Sequence, residues 1–131
     1  MEGDIHHLEI YVDDLIKTRN FYEELLKTLG YQLYQEWENG FSFKLKGVYI
    51  VFVKVEEEYK EYDYHRKRIG LNHLAFGVKN KSEVDTITNV LINKGISILY
   101  KDKHPYAGGP EHYAVYFEDP NRIKLEIVSE E

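Results

Sequence analysis

Three side chains in this sequence have the chemistry to hold a metal ion together: His7, His73 and Glu126. Two neutral imidazole nitrogens and one carboxylate are enough ligands for a divalent transition metal, and they leave coordination positions free. Water or an oxygen-bearing substrate would take those positions, where the ion polarises it as a Lewis acid. The three residues are far apart in the chain, so this hypothesis depends on the elements that position them.

An internal repeat links the two histidines. Residues 6–30 (HHLEIYVDDLIKTRNFYEELLKTLG) and 72–95 (NHLAFGVKNKSEVDTITNVLINKG) both begin with a polar residue and a histidine and both end in glycine. From His7 to Gly30 is 23 positions, and from His73 to Gly95 is 22. The two histidines therefore occupy equivalent places in a duplicated unit.

Each copy predicts a strand followed by a helix. Apolar residues alternate over 8–12 and over 74–78, and a period of two is typical of a strand buried on one face. Apolar residues at three-to-four spacing follow in each copy and predict a helix, which Gly30 and Gly95 end.

Strand-like stretches follow each helix, and turn signals such as Asn39-Gly40 and Asp119-Pro120-Asn121 separate them. The sequence thus predicts an α+β fold in which the order βαβββ occurs twice. We expect one domain over 1–131, with module one at about 4–55, a charged linker at about 56–70 and module two at about 71–129. The further strands are predicted at 31–37, 40–45, 48–55, 96–100, 112–118 and 122–128.

The alternation also predicts which side chains face away from the helices. If the apolar set of each strand packs under a helix, the residues between them lie on the opposite, open face. This reasoning places two repeat-related histidines and one glutamate on one surface, which favours a metal site over isolated surface histidines. The predicted open-face residues are His7, Glu9, Tyr11, His73, Ala75, Gly77, His112, Ala114, Tyr116, Lys124, Glu126 and Val128.

Further site residues are weaker candidates. For a general base the sequence offers Glu9, His112 and Tyr116. His112 could instead be a fourth ligand, a substrate contact or a plain surface residue, and Glu9 could simply line the cleft. For contacts to substrate we expect Tyr11, Tyr116 and Arg122. Arg122 and Lys124 flank Glu126 and could attract an anionic substrate, although a structural salt bridge is the alternative role for both.

Composition excludes several classes of protein. With 131 residues, 43% of them hydrophobic, the chain is long enough to bury a core. Its net charge of −6 argues against a nucleic-acid partner. No apolar run is long enough for a membrane span, and no signal peptide is evident. The absence of cysteine excludes disulfides and zinc–thiolate sites, and a cytoplasmic location is expected.

Three motifs resemble the vicinal oxygen chelate superfamily. The segment HLEIYVDDLIKTRNFYEELLKTLGY is similar to the family's opening motif, with its histidine, alternating strand, Asp-Leu and Phe-Tyr. GLNHLAFGV resembles the start of the second module, and YFEDPNRIKLEIV resembles the closing hairpin, where a glutamate follows an Asp-Pro turn. The resemblance covers nearly the whole chain.

The resemblance implies paired βαβββ modules that form a curved mixed sheet around a cleft, commonly in a homodimer. It also implies a divalent transition metal (Mn, Ni, Zn, Fe or Co) that chelates neighbouring oxygens of a small-molecule substrate. The family's metal ligands carry over onto His7, His73 and Glu126. Glyoxalase I typically has a further acidic metal ligand in the last strand of its first module. Residues 48–53 contain no acidic residue, which argues against a glutathione-linked glyoxalase activity.

Fold membership does not choose among the activities of this family. The leading hypothesis is a metal-dependent lyase, isomerase or transferase that acts on a small oxygen-chelating metabolite or antibiotic. The alternative is a metal-free binding protein, similar to bleomycin resistance proteins, that sequesters an aromatic or cationic compound. Twelve tyrosines and the negative charge fit that alternative.

Overall fold

The computed structural model describes all 131 residues and divides into two compact units, 1–63 and 64–131. Each unit contains one βαβββ module with a four-stranded sheet. The predicted α+β class and the predicted pair of modules are confirmed.

The first unit has a mixed sheet with one helix. Strand β1 (His7–Val12) leads into α1 (Leu15–Thr28), and β2 (Gln32–Trp37), β3 (Gly40–Leu45) and β4 (Val48–Lys54) follow. The strand order is β1-β4-β3-β2, with β1 parallel to β4 and the other pairs antiparallel. A single 3₁₀ turn, Glu57–Tyr59, lies beyond β4.

Helix α1 begins at a side-chain cap and packs through aromatic and aliphatic residues. The Asp14 carboxylate accepts a hydrogen bond from Lys17 N at 3.0 Å, which satisfies one of the free N–H groups of the first turn. Leu26 and Tyr22 are fully buried, and the ring centroid of Tyr22 lies 4.3 Å from that of Phe52 on β4. The helix therefore covers one face of the sheet and leaves the His7 face open.

The second unit repeats this arrangement. Strand β5 (Leu74–Val78) leads into α2 (Lys81–Asn93), followed by β6 (Ile98–Leu99), β7 (Ala114–Glu118) and β8 (Lys124–Ser129). The strand order is β5-β8-β7-β6, with β5 parallel to β8. Asn80 caps α2 by accepting from Glu83 N at 2.9 Å.

Burial alternates as predicted in β1 and β5, whereas four consecutive residues of β7, Ala114–Phe117, are all buried, so Ala114 and Tyr116 of the predicted open face are covered. In β8, Leu125 and Ile127 are fully buried in the apolar core with Phe117 of β7 and Val84 of α2. The strands of the second unit are shorter than predicted, because a long loop with several turns occupies 100–113 and Arg122 adopts a left-handed φ of 65° in the β7–β8 turn. No helix has the length and apolar character needed to cross a membrane.

Candidate functional site

Glu126 lies in the middle of the second sheet and is almost completely buried, with 2% of its surface exposed. It is in register with Ala75 on β5 and with Tyr116 on β7. Its neighbours Leu125 and Ile127 pack into the core, so the period of two turns the Glu126 carboxylate to the other face of the sheet. A carboxylate buried to this degree requires polar partners.

Two histidines supply those partners, one to each oxygen of the carboxylate. Nε2 of His73 lies 2.9 Å from Oε1 of Glu126, and Nε2 of His112 lies 2.5 Å from Oε2. The structure thus brings together two of the predicted metal ligands and one of the predicted proton carriers. These side chains form a hydrogen-bonded series, and no group of three or more His, Asp or Glu side chains surrounds a common point.

The orientation of His73 is fixed from its other ring nitrogen. Nδ1 of His73 lies 2.7 Å from Oδ1 of Asn72. When Nδ1 donates its proton to that oxygen, Nε2 of the neutral ring carries a lone pair that faces the Glu126 carboxylate. Only a proton or a metal ion between the two atoms makes that contact attractive, and a carbonyl oxygen on the second nitrogen is usual for metal-binding histidines. The donor set at His73 and Glu126 therefore fits a divalent ion.

Asn72 was not among the predicted site residues, although the repeat contains the signal for it. Both copies place a polar residue immediately before the histidine. In the first unit that residue is His6, whose Nδ1 lies 2.9 Å from Nδ1 of His7. The residue before the histidine therefore contacts Nδ1 of the ring in both modules.

Tyr116 lies beside the same carboxylate. Burial, with the negative charge of Glu126 as a further cause, raises the pKa of Tyr116 to about 12. The hydroxyl therefore stays protonated at neutral pH and serves as a hydrogen-bond donor. Of the candidate bases, His112 is the one whose ring nitrogen bonds the carboxylate and whose side chain remains 41% exposed.

Gly108 lies close to these side chains from the loop that precedes β7. A Cβ at this position would come within 2.5 Å of Cδ2 of His112 and 2.7 Å of the Tyr116 hydroxyl oxygen. The loop between β6 and β7 contains Gly108, Gly109 and Pro110. The structure adds a specific reason for glycine at 108, which is the close approach of the backbone to His112 and Tyr116.

Arg122 forms an ion pair with Glu118 at the end of the β7–β8 hairpin. Its Nε lies 3.3 Å from Oε2 of Glu118, and Nη1 of Arg66 lies 2.8 Å from the same oxygen. The side chain of Arg122 is 70% exposed. Lys124, which the sequence offered with Arg122 as a group that could attract an anionic substrate, lies on the same face of β8 as Glu126.

In the first unit His7 is exposed and stacked. Its ring is nearly parallel to that of Tyr49, with centroids 4.9 Å apart and an interplanar angle of 8°. Glu9 and Tyr11 are exposed on the same face of β1, as the alternation predicted. Tyr11 also lines a cavity of about 440 Å³ with Trp37 and Glu56.

A further cavity, of about 680 Å³, lies in the second unit between α2, β6 and the loop after it. Its lining includes Asp85, Asn89, Ile92 and His104. It contains none of the predicted ligands, catalytic candidates or substrate contacts, so its size does not mark the position of the candidate chemistry.

Comparison with known proteins identifies relatives along the whole chain. Residues 4–127 match the profile of the Glyoxalase/Bleomycin resistance protein/Dioxygenase superfamily. The uncharacterized protein YqjT of Bacillus subtilis (strain 168) is 50% identical over 125 residues, which are 95% of this chain and 98% of YqjT.

Solved structures give the same result at the level of the fold. The crystal structure of a candidate glyoxalase from Bacillus halodurans is 51% identical, with a TM-score of 0.95 and coverage of 98% of this chain and 96% of that one. Lactoylglutathione lyase from Agrobacterium tumefaciens has a TM-score of 0.70 at 19% identity, with coverage of 98% and 95%. At that identity the likeness concerns the fold alone.

Proposed function

Because this chain belongs to the Glyoxalase/Bleomycin resistance protein/Dioxygenase superfamily, we propose that it is a metal-dependent lyase, isomerase or transferase. Its substrate would be a small metabolite or antibiotic with neighbouring oxygen atoms. The superfamily includes enzymes, of which lactoylglutathione lyase is one with the same fold.

The proposed ligands are His7, His73 and Glu126, and the proposed ion is Mn, Ni, Zn, Fe or Co. The observation that carries the proposal is the contact between Nε2 of His73 and Oε1 of Glu126, with Asn72 holding the other ring nitrogen. His7 is included in the ligand set because of the repeat. It occupies at the start of β1 the position that His73 occupies just before β5. When bound, the ion would supply Lewis-acid polarisation of the substrate oxygens.

The protein's own side chains have separate roles in this proposal. Tyr116 donates a hydrogen bond from its protonated hydroxyl to an oxygen that gains negative charge. His112 accepts a proton at Nδ1 while its Nε2 donates to the Glu126 carboxylate, which stabilises the imidazolium that forms. Glu9 remains the alternative base, while Tyr11 and Arg122 remain proposed substrate contacts.

We also propose that the chain acts as one vicinal oxygen chelate domain, as a cytoplasmic homodimer and without a nucleic-acid or membrane partner. All six residues of the edge strand β2 are exposed, including Leu33, Tyr34 and Trp37. An exposed edge with apolar side chains is a favourable surface for a second copy. Light scattering at micromolar concentration measures the mass, and a monomer would contradict the homodimer.

The test of the metal site uses protein purified without a histidine tag. Calorimetric titration with Mn, Ni and Zn should give one site per chain, and the ion should raise the melting temperature because it binds only the folded form. His7→Ala, His73→Ala and Glu126→Ala should each weaken binding at least about 100-fold. His65→Ala, a histidine outside the proposed ligand set, is the control. Unaltered stoichiometric binding in His73→Ala would reject the assignment.

The second candidate function is a binding protein that sequesters an aromatic or cationic compound without a metal. The cavity at Tyr11 favours it, because two exposed aromatic rings (Tyr11 and Trp37) and the carboxylates of Glu56 and Glu57 line that cavity. Aromatic faces and carboxylates together suit a flat cation. No thermal shift with any ion, together with saturable binding of a cationic aromatic dye that Trp37→Ala abolishes, would favour this candidate.

A further inference from the structure

We propose that Lys124 and Tyr100 form an anion subsite on the open face of the second sheet. This subsite would bind a carboxylate, phosphate or phosphonate group of the substrate. The assignment of that group to a substrate rests on the proposed function. The subsite itself rests on the placement and partners of Lys124.

Lys124 lies two residues before Glu126 on β8, so both side chains point to the same face. Two residues of a strand span roughly 7 Å, which is the length of a small organic molecule. A ligand that contacts Lys124 with an anionic group can therefore reach Glu126 and His73 with oxygen atoms a few bonds away.

The carboxylate that should neutralise Lys124 is used elsewhere. Glu118 is the cross-strand partner of Lys124 in the β7–β8 register, a position at which opposite charges normally pair. Glu118 instead accepts hydrogen bonds from Arg66 and Arg122 through the same oxygen. No Asp or Glu oxygen lies within 4.0 Å of Lys124 Nζ. Arg66 and Arg122 thus share the Glu118 carboxylate, and Lys124 is left without an acidic partner, in a chain whose net charge is −6.

Aromatic side chains hold the ammonium group in place. Nζ of Lys124 donates a hydrogen bond to the Tyr100 hydroxyl at 3.0 Å. It also lies over the rings of Tyr100 and Tyr116, at 5.1 and 5.3 Å from their centroids. An ammonium group has three protons, so this contact leaves two for oxygens of a bound anion.

Tyr100 follows β6 directly and has an uncommon backbone conformation, with a φ of +56°. The hydrogen bond from Lys124 lowers the pKa of the Tyr100 hydroxyl, which makes this phenol a stronger donor to an incoming anion. Tyr116 lies between this pair and Glu126, since its ring contacts those of Tyr100 and His73. The subsite is therefore continuous with the residues proposed to hold the metal.

The test measures inorganic phosphate binding to the full-length chain dialysed against EDTA, by nuclear magnetic resonance titration of the labelled protein. The wild type should bind phosphate saturably. Lys124→Met keeps the aliphatic stem but removes the charge, and it should weaken phosphate binding about tenfold or more. Tyr100→Phe should weaken it less. Lys101→Met, the neighbouring exposed lysine, is the matched control and should leave the affinity within about twofold.

Two further measurements make the result decisive. Lys124→Arg should restore part of the phosphate affinity, which separates the role of the charge from a loss of folding. Mn binding measured on the same variants separates the subsite from the proposed function. Phosphate binding that depends on Lys124 supports the subsite even if no ion binds. No saturable phosphate binding, or equal affinity in Lys124→Met, overturns the subsite even if the metal site is present.

Discussion

The two modules place different chemistry at equivalent backbone positions. Leu8 pairs with Ile50 in the first sheet as Leu74 pairs with Leu125 in the second, which aligns the two registers. By this alignment Glu126 corresponds to Val51, which is buried with 3% of its surface exposed. The duplicated backbone thus fixes where a side chain is presented, while the residue type at that place decides whether the sheet face is polar or apolar.

The two histidines are held by different forces as a consequence. In the first module Tyr49 occupies the place of Lys124, and its ring stacks on His7. In the second module His73 hydrogen-bonds the buried carboxylate. The Glu126 carboxylate is tolerated because an imidazole reaches each of its oxygens, whereas Val51 lies opposite Ser42, whose hydroxyl already donates to Gln35.

Exchanging the residue types of Val51 and Glu126 should give the largest effect on stability. Val51→Glu buries a carboxylate without the two imidazoles, and we expect a loss of about 3 kcal/mol of unfolding free energy at pH 7. Burial raises the pKa of such a carboxyl in the folded state, so the loss should shrink as the pH falls toward the pKa of the unfolded chain, where the group is neutral. Urea unfolding at pH 7 and pH 5 measures both values.

The reverse exchange is the control. Glu126→Val removes a buried charge and leaves two partly exposed imidazoles that water can solvate, so we expect a change within about 1 kcal/mol of the wild type. Equal losses in Val51→Glu and Glu126→Val would contradict the view that the modules differ in how they satisfy a buried acid.

Replacing one glycine in each module with alanine tests how far the atoms around it can move to accept a Cβ. A Cβ on Gly40 would lie 2.6 Å from the backbone oxygen of Phe52 and 2.5 Å from Cζ2 of Trp37. Gly40→Ala should cost about 1–3 kcal/mol, because a strand backbone cannot move aside, and it should shift the fluorescence of the single tryptophan.

Gly108→Ala in the second module should cost less than Gly40→Ala, because its neighbours are the ends of two side chains that can rotate. It should nevertheless displace His112 and weaken metal binding. Gly47→Ala, where nothing lies within 4 Å, is the matched control and should stay within about 0.5 kcal/mol. Gly108→Ala with unchanged metal affinity would remove His112 from the proposed chemistry.

The stacking of His7 on Tyr49 predicts a smaller effect. Tyr49→Leu should cost about 1 kcal/mol and should remove the ring-current shift from the His7 imidazole protons, which nuclear magnetic resonance detects. Tyr59→Leu, on the exposed 3₁₀ turn, should leave those protons unchanged. Unshifted His7 signals in the wild type would show that the first module does not orient its histidine by stacking.

The smallest expected effect is in the titration of phenols in the second module. Tyr116 should ionise near pH 12, after Tyr100, because burial raises the pKa of Tyr116 and the Lys124 hydrogen bond lowers that of Tyr100. The pKa of Tyr116 is raised above its unfolded value near 10, so its contribution to stability is complete below about pH 10 and lost toward pH 12. Tyrosine-labelled resonance spectra of Glu126→Gln should show Tyr116 ionising earlier.

The amino-acid sequence by itself determined the duplicated βαβββ order, the apolar residues of each element that face the core, and the opposite, open faces of the strands. These follow from periods of two and 3.6, which covalent geometry fixes along one strand or helix. For this reason His7, Glu9 and Tyr11 were assigned to the exposed face of β1 correctly, and Glu126 was assigned to the side opposite Leu125.

Only the tertiary structure decided which polar groups become partners. Glu118 could have paired with Lys124, Arg122 or Arg66, and the sequence offered both Arg122 and Lys124 as groups that could attract an anionic substrate or form a salt bridge. The choice depends on the register between β7 and β8, on the left-handed turn at Arg122 and on the approach of Arg66 from 52 positions away in the chain. Charged side chains on neighbouring strands compete for the same partner, and no local period of the sequence encodes the outcome. Alternation within one strand, in contrast, follows from its period of two.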